Sequence, residues 1–331
     1  MSLAELVRPA ATPAASGWHG ARVRRREAVA AEVWLFELAL DAAAAYPWAQ
    51  VTPGAHIDVE LPGGVVRQYS LLTDLAADAQ VLVIAVKRDA QGRGGSVQLC
   101  DTLQAGAALR VSAPRNLFAL HADAAPAVLI AGGIGITPIW SMLHALQARQ
   151  GQWSLHYAMR SRADAPFVEA LQAQRGVHLH VDHEAGGRPL DIARIVRDAP
   201  ADAHLYCCGP APMLDAFEAA CAQRDPARVH LERFGAAAPM AAEQACVVQL
   251  ARANRTLTLP AGQTLLALLR EAGVDVATSC EQGVCGACET AVLEGEIDHR
   301  DGILSPAEQA ANRTMMVCCS LPKGPRLVLD L

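Results

Sequence analysis

The sequence predicts a multidomain protein in three folded parts: an antiparallel β-barrel, a doubly wound α/β domain, and a small β-rich domain closed around a cysteine loop. Three observations carry this reading. The first third of the chain consists of short strand-like runs broken by turns, with no helical spacing. The middle alternates apolar strand-like runs with helical stretches. Near the C-terminus, Cys280, Cys285 and Cys288 stand at C-x4-C-x2-C, with Cys318 further on. A chain of 331 residues also exceeds one typical core.

Composition excludes several classes. Apolar residues make up 52% and charged residues 19%, a globular balance. The net charge is −6 and no dense Lys/Arg run occurs, which argues against binding nucleic acid. Arg22 to Arg26 is the most basic stretch and reads as a solvated strand edge. No apolar run is long enough for a membrane helix. Residues 1–17 are Ala/Pro-rich, lack signal-peptide features, and are expected to form a loose, disordered tail. With four of the ten cysteines in one motif and no export signal, a reducing cytoplasm is the expected location. A monomer is the expected state.

Residues 18–120 predict the barrel. Val33–Leu38, His56–Leu61, Val81–Val86 and Leu109–Ser112 read as strands, punctuated by Pro53-Gly54 and Pro62-Gly63-Gly64. Arg67-Gln68-Tyr69-Ser70 supplies a guanidinium fork suited to phosphate, a flat ring and a hydroxyl. Taken alone, this is also an ordinary strand sequence. Two further pieces follow it: Ala85-Val86-Lys87 at a strand end, and Gly92-Arg93-Gly94-Gly95-Ser96. The second is a cationic, N–H-rich loop leading into a short helix, Val97–Asp101, and such a loop can cradle a phosphate.

Residues 121–235 predict a dinucleotide-binding α/β domain. Ala127–Ala131 is continuously apolar, as in a strand buried on both faces. Gly132-Gly133-Ile134-Gly135-Ile136-Thr137-Pro138 follows, then a helix. Strand, glycine turn, helix is the context for a pyrophosphate, although Pro138 replaces the last glycine of the usual fingerprint. Strands at Ser154–Ala158, Val177–Val181 and Ala203–Cys208 alternate with helices at Phe167–Gln174, Ile192–Arg197 and Ala211–Gln223. Cys208-Gly209-Pro210 lies at a strand's C-terminal end, where ligands of such sheets sit. Cys100, Cys207, Cys221 and Cys246 read as buried structural thiols. His156, His178, His180 and His183 read as ordinary packing or surface residues. Phe234 could stack on a ring or simply close the core.

Residues 236–243 read as a linker, and 244–331 as the third domain. Val247–Leu250 and Thr256–Pro260 suggest a hairpin turning near Asn254, and Gln263–Ala272 an amphipathic helix. The cysteine spacing is that of a plant-type ferredoxin, in which four thiolates hold a 2Fe–2S cluster. Gly283 and Gly286 give the loop the backbone freedom that wrapping a cluster requires. Zinc would favour a second C-x2-C pair, which is missing. The ligands expected are Cys280, Cys285, Cys288 and Cys318, with Cys319 a bystander. The fold expected here is the β-grasp.

The order of these motifs resembles the phthalate dioxygenase reductase family, of the vanillate O-demethylase reductase type. The resemblance rests on Arg67-x-Tyr69-Ser70, Gly92 to Ser96, Gly132 to Pro138, Cys207 to Pro210 and the C-terminal cysteine loop. It implies an NADH-dependent oxidoreductase containing FMN and a 2Fe–2S cluster, with a Rieske-type oxygenase acting on an aromatic or related substrate as partner. It places Arg67, Gln68, Tyr69, Ser70, Ala85, Val86, Lys87, Arg93, Gly94, Gly95 and Ser96 around the flavin. Gly133, Thr137, Arg160, Cys208, Gly209 and Pro210 fall to the nucleotide side, with Phe234 near the flavin. Ser161 and Arg162 could accept a 2′-phosphate.

Hydride transfer then runs past Ser70 and Cys208 and needs no side-chain acid or base. The cluster loop, Glu281 to Val284, is expected to face a docking partner. Two other readings stand: a reductase serving a quinone or another monooxygenase, and a non-catalytic redox sensor.

Overall fold

The computed structural model describes residues 17–41, 51–72, 80–92, 94–234, 241–278, 280–281 and 283–331. The expected tail (apart from residue 17), Arg93, Gln282 and residues 236–240 of the expected linker lie outside these.

Six antiparallel strands form the first sheet: β1 (Trp18–Ala30), β2 (Val33–Leu40), β3 (His56–Glu60), β4 (Val66–Ser70), β5 (Val81–Lys87) and β6 (Ala108–Ser112). Their order is β4-β3-β6-β1-β2-β5. The two outer strands meet through a bridge between Leu71 and Ile84 and a hydrogen bond from Leu72 N to Val83 O of 2.9 Å. The sheet thus closes as a barrel around Phe36, Leu38, Ile57, Val59, Leu82, Ile84 and Val111, all fully buried. Short helix α1 (Gly95–Thr102) packs beside it through Leu99 and Cys100. The strand holding Arg22 to Arg26 is central, not an edge, because β1 pairs with both β2 and β6. Arg22 and Arg24 alternate with buried Ala21 and Val23, a bulge between Val23 and Arg25 leaves Arg25 exposed as well, and Arg26 lies half-buried over the Trp34 ring.

The second sheet is parallel: β7 (Ala127–Gly132), β8 (Trp153–Met159), β9 (Val177–Val181), β10 (His204–Cys208) and β11 (Val229–Glu232), in the order β11-β10-β7-β8-β9. Helices α2 (Ile136–Ala148) and α3 (Val168–Gln172) cover one face, and α4 (Ile192–Asp198) and α5 (Ala211–Ala220) the other. The chain builds outward from β7 to β9, then returns to β10 on β7's other side. The strand order reverses between β7 and β10, and a sheet of this kind binds ligands beside such a reversal, at the strands' C-terminal ends. Val33, Leu72 and Ala85 of the barrel pack with Ile134, Trp140 and Phe167 of this domain, so the two share an apolar seam.

The third sheet is β13-β12-β18-β14-β16, from β12 (Cys246–Leu250), β13 (Arg255–Leu259), β14 (Glu289–Glu294), β16 (Thr314–Met316) and β18 (Arg326–Leu329). Strands β12 and β18 are parallel and the other pairs antiparallel, the mixed pattern of a β-grasp. Helix α6 (Leu265–Glu271), capped by the Thr264 hydroxyl, buries Leu265, Leu266, Leu268 and Leu269 against it. A small ribbon of β15 (Ile297–Asp298) and β17 (Leu321–Pro322) and helix α7 (Pro306–Ala311) complete the domain. Asn254 makes the β12–β13 turn at φ 48°.

Candidate active site

The cysteine loop is closed by backbone geometry. Glu281, Gly283 and Gly286 all take positive φ, so the chain folds back on itself three times within six residues. Gly283 has no alternative, because a Cβ there would run into Cys319 Sγ and the Asp301 backbone. The turns aim N–H groups at sulfur: Gly283 N donates to Cys318 Sγ at 3.2 Å and Ala287 N to Cys285 Sγ at 3.5 Å. All four expected ligand thiols are buried, and none of the ten cysteines is in a disulfide.

The thiols crowd one another. A hydrogen bond from Cys280 pulls Cys285 down to about 6, and those from Cys288 and Cys319 pull Cys318 well below the usual thiol range. Four converging buried sulfurs fit a 2Fe–2S cluster: Cys285 and Cys318 are held toward the thiolate and meet backbone donors, while the hydrogen bond it shares with Cys318 and burial push Cys288 up. Cys319 Sγ also lies within 3.7 Å of Met316 O while it hydrogen-bonds Cys318.

Next to this loop lies a cavity of about 530 Å³ that draws on all three domains. The barrel contributes Arg67, Gln68, Tyr69 and Ser70 from β4, Ala85, Val86 and Lys87 from β5, and Gly95 and Ser96 from α1. The α/β domain contributes Ile134, Thr137 and Phe234, and the cysteine loop contributes Cys280 and Val284. At one end, Arg67 approaches the start of α1 so closely that a Cβ on Gly95 would lie 2.5 Å from its Nε. Gly94, at φ 77°, starts the helix, whose first turn holds no acidic residue. A guanidinium beside free helical N–H groups is an anion-binding arrangement. At the other end, Phe234 is 45% exposed, a large share for a phenyl ring unless something covers it.

His56 and Glu232 expose what sequence reasoning missed. His56, on β3 directly opposite Ser70, is 4% exposed, and neither ring nitrogen has a partner. Burial and the Arg115 charge hold it neutral, at about 4. Glu232, at the end of β11, has an unpartnered buried Oε2, and burial pushes its carboxyl up to about 8. Gln68 Nε2 is likewise buried and unpartnered. Orphaned buried polar atoms are rare and costly. Their concentration in the wall of one cavity fits a flat, heteroatom-rich ligand such as a flavin. Nothing in the local sequence marks His56, because its partner β4 is set by sheet pairing alone. Tyr69 remains a neutral phenol, since burial pushes its pKa up.

The other predicted residues lie outside this cavity. Gly133, at φ 54°, and Gly135 form the turn after β7. That turn packs on Cys208 and Gly209, where a Cβ on Gly135 would overlap the Cys208 carbonyl. Pro210 abuts Gly132 in the same way. Cys208, Gly209 and Pro210 thus flank the β7–β10 reversal without lining the cavity. Burial and the nearby Glu232 push the Cys208 thiol up, so it is no nucleophile. Arg160 sits exposed past β8.

Two expectations change. Arg162 pairs with Glu184 at 2.7 and 3.1 Å, and the Ser161 hydroxyl donates to Asp164 at 2.7 Å. The donors that would greet a 2′-phosphate are taken by carboxylates. Val284 lines the cavity instead of facing outward, whereas Glu281, paired with Arg270 at 2.5 Å, stays partly open to solvent. A larger groove, about 1,000 Å³, runs between α4 and the β8–β9 face, but it gathers none of the predicted site residues.

Comparison with known proteins fits this geometry. A 2Fe–2S iron-sulfur cluster binding domain model matches residues 248–323, and an oxidoreductase NAD-binding domain model matches residues 129–219. Phenoxybenzoate dioxygenase subunit beta of Ectopseudomonas oleovorans is 53% identical over 84% of this chain and 87% of its own. Tetrachlorobenzoquinone reductase of Sphingobium chlorophenolicum is 46% identical over 85% and 89%. Phthalate dioxygenase reductase of Burkholderia cepacia is 37% identical over 97% and 99%.

A solved phthalate dioxygenase reductase, a modular structure for electron transfer from pyridine nucleotides to 2Fe–2S, superposes with a TM-score of 0.72 at 36% identity over 95% of this chain and 98% of that one. An intact type IV self-sufficient cytochrome P450 monooxygenase matches at 0.82 and 37% identity over 95% of this chain, which spans only 41% of its length. Fold and site define an oxidoreductase with an NAD-binding domain and a 2Fe–2S domain. The chain belongs to the phthalate dioxygenase reductase family.

Proposed function

We propose that this chain is the reductase component of a Rieske-type oxygenase system, taking electrons from NADH through FMN and a 2Fe–2S cluster. The observation that carries the reading is the shared cavity, where Tyr69 and Ser70, Thr137 and Phe234, and Cys280 and Val284 meet. A flavin bound there supplies the conversion that NADH and an iron–sulfur cluster cannot make between them, from a two-electron hydride to single electrons.

The chain's own residues bind and orient. Arg67, Ser96, the Gly94 and Gly95 backbone and Arg93 hold the phosphate. Gln68, Tyr69, Ser70, Ala85, Val86, Lys87 and His56 surround the ring. Gly133, Thr137, Cys208, Gly209 and Pro210 place the nicotinamide, with Arg160 toward the adenosine and Phe234 covering the ring until it arrives. Cys280, Cys285, Cys288 and Cys318 hold the cluster. The carboxylates on Ser161 and Arg162 favour NADH over NADPH, because a 2′-phosphate would add negative charge among them.

Likeness to dioxygenase and monooxygenase reductase subunits supports an oxygenase acceptor. Likeness to a tetrachlorobenzoquinone reductase favours a second reading, in which a quinone takes the electrons. Anaerobic NADH should bleach both flavin and iron–sulfur absorption of the loaded protein. Reoxidation by an oxygenase component and not by a quinone supports the first reading, and the reverse supports the second. A flavin-loaded protein that NADH leaves oxidised would sink both.

A further inference from the structure

At the opposite edge of the nucleotide sheet, three side chains converge that the redox site does not use. His204 opens β10, and His121 and Asp123 lie on the connector that runs from the barrel into β7. One ligand atom from each lies within 4.8 Å of the other two. Asp123 Oδ2 stands 3.1 Å from His204 Nε2 and 3.3 Å from His121 Nδ1. Zinc–nitrogen and zinc–oxygen bonds of ~2.0–2.1 Å at the tetrahedral angle require ligand atoms ~3.3 Å apart. Both measured edges match.

The cluster is also oriented from outside, as metal ligands characteristically are. Asp123 Oδ1 accepts from Ala125 N at 3.2 Å, which leaves Oδ2 to face the two imidazoles. His204 Nδ1 meets His230 Nε2 at 2.9 Å, so Nε2 is the nitrogen available to a ligand. The His121 backbone is tied on both sides: its N–H donates to the Tyr206 hydroxyl at 2.8 Å, and its carbonyl accepts from Arg149 at 3.0 Å. His204 is buried, while His121 and Asp123 are open to solvent, so an ion could enter and keep a water in its fourth position.

We propose that His121, Asp123 and His204 form a binding site for a zinc ion, or a chemically similar divalent transition metal, with His230 supporting His204. Two imidazoles and one carboxylate suit zinc. The His121 and His204 rings lie stacked, with centroids 4.3 Å apart. To bring its lone pair in line on an ion, the exposed His121 ring has to turn about its side-chain bonds from this stacked position. The ion fastens the connector to the start of β10. Cys208, at the other end of that five-residue strand, is ~13 Å away at the rise of an extended chain. Zinc therefore stabilises the nucleotide domain without entering the NADH edge.

The test uses the protein with its cluster loaded, so that the cysteines are occupied. Zinc titration by calorimetry should show one equivalent, and zinc should raise the unfolding temperature by mass action. X-ray absorption at the zinc edge should show only nitrogen and oxygen neighbours at ~2.0–2.1 Å, not sulfur at ~2.3 Å. His121→Ala and Asp123→Asn should each weaken binding at least ~10-fold, and His230→Ala about 10-fold, while NADH oxidation stays unchanged. The assignment is overturned by wild-type protein that binds no zinc, by a sulfur shell, or by equal affinity in His121→Ala and Asp123→Asn. None of these outcomes bears on the electron-transfer reading, which the NADH titration tests separately.

Discussion

The cysteine loop and the cavity beside it are assembled by different routes. The loop takes three of its sulfurs from one stretch, Cys280 to Cys288, and its turns are set by Glu281, Gly283 and Gly286 within that stretch. The cavity draws its wall from His56 to Val284, across three sheets that do not share a hydrogen-bonded edge. A contiguous loop carries its own geometry. A cavity between domains exists only once the domains have packed, and it can leave polar groups such as His56 and Glu232 waiting for a ligand.

The largest effect should come from breaking the loop while sparing the cavity. Cys285→Ser removes one of four thiolates and should abolish iron–sulfur absorption. Electron delivery to a one-electron acceptor should fall by two orders of magnitude or more, at roughly the scale of losing an essential redox step. Flavin content and its reduction by NADH should be retained. A variant that kept a normal cluster spectrum would show the ligand set to be wrong.

This contrast explains what could be read from the chain alone. The cluster ligands and Arg67 to Ser70 are local patterns and lie on the expected loop and on β4, whereas the helices after the two glycine turns begin earlier than read, at Gly95 and Ile136. In the sequence the long β1 reads only as a strand edge at Arg22 to Arg26, because its exposed arginines obscure the alternation of Ala21 and Val23 beneath them. Helix α3 is five residues long, shorter than the apolar run around it suggested, because Phe167 takes φ 65° at its start and packs into the seam with Trp140. His56 and Glu232 were invisible for another reason. Their significance lies in lacking partners, a property of packing and not of residue type.

A smaller effect should expose the waiting groups directly. His56→Leu removes two orphaned buried nitrogens, so the flavin-free protein should become more stable by about 1 kcal/mol. Flavin affinity should fall about tenfold, the equivalent of one lost hydrogen bond. Urea unfolding of the flavin-free protein and flavin fluorescence titration read the two effects. Lower stability with unchanged affinity would make His56 a plain core residue.

A third effect is one of pH. The folded-state pKa of Glu232, about 8, lies above the ordinary 4.5, so folding favours its protonated form. The associated stability is complete below the ordinary value and is lost as the pH rises through 8. Between about pH 5.5 and 8.5, flavin-free wild type should lose on the order of 2 kcal/mol relative to Glu232→Gln, whose side chain stays neutral. Parallel urea midpoints for the two proteins across that range would contradict the assignment.

Rapid mixing of the loaded protein with NADH, followed at flavin and iron–sulfur wavelengths, tests the shared cavity most directly. Flavin bleaching should come first and cluster reduction second, and Cys285→Ser should keep the first phase and lose the second. Cluster reduction at an undiminished rate in flavin-free protein would contradict the cavity as the meeting point of the three domains.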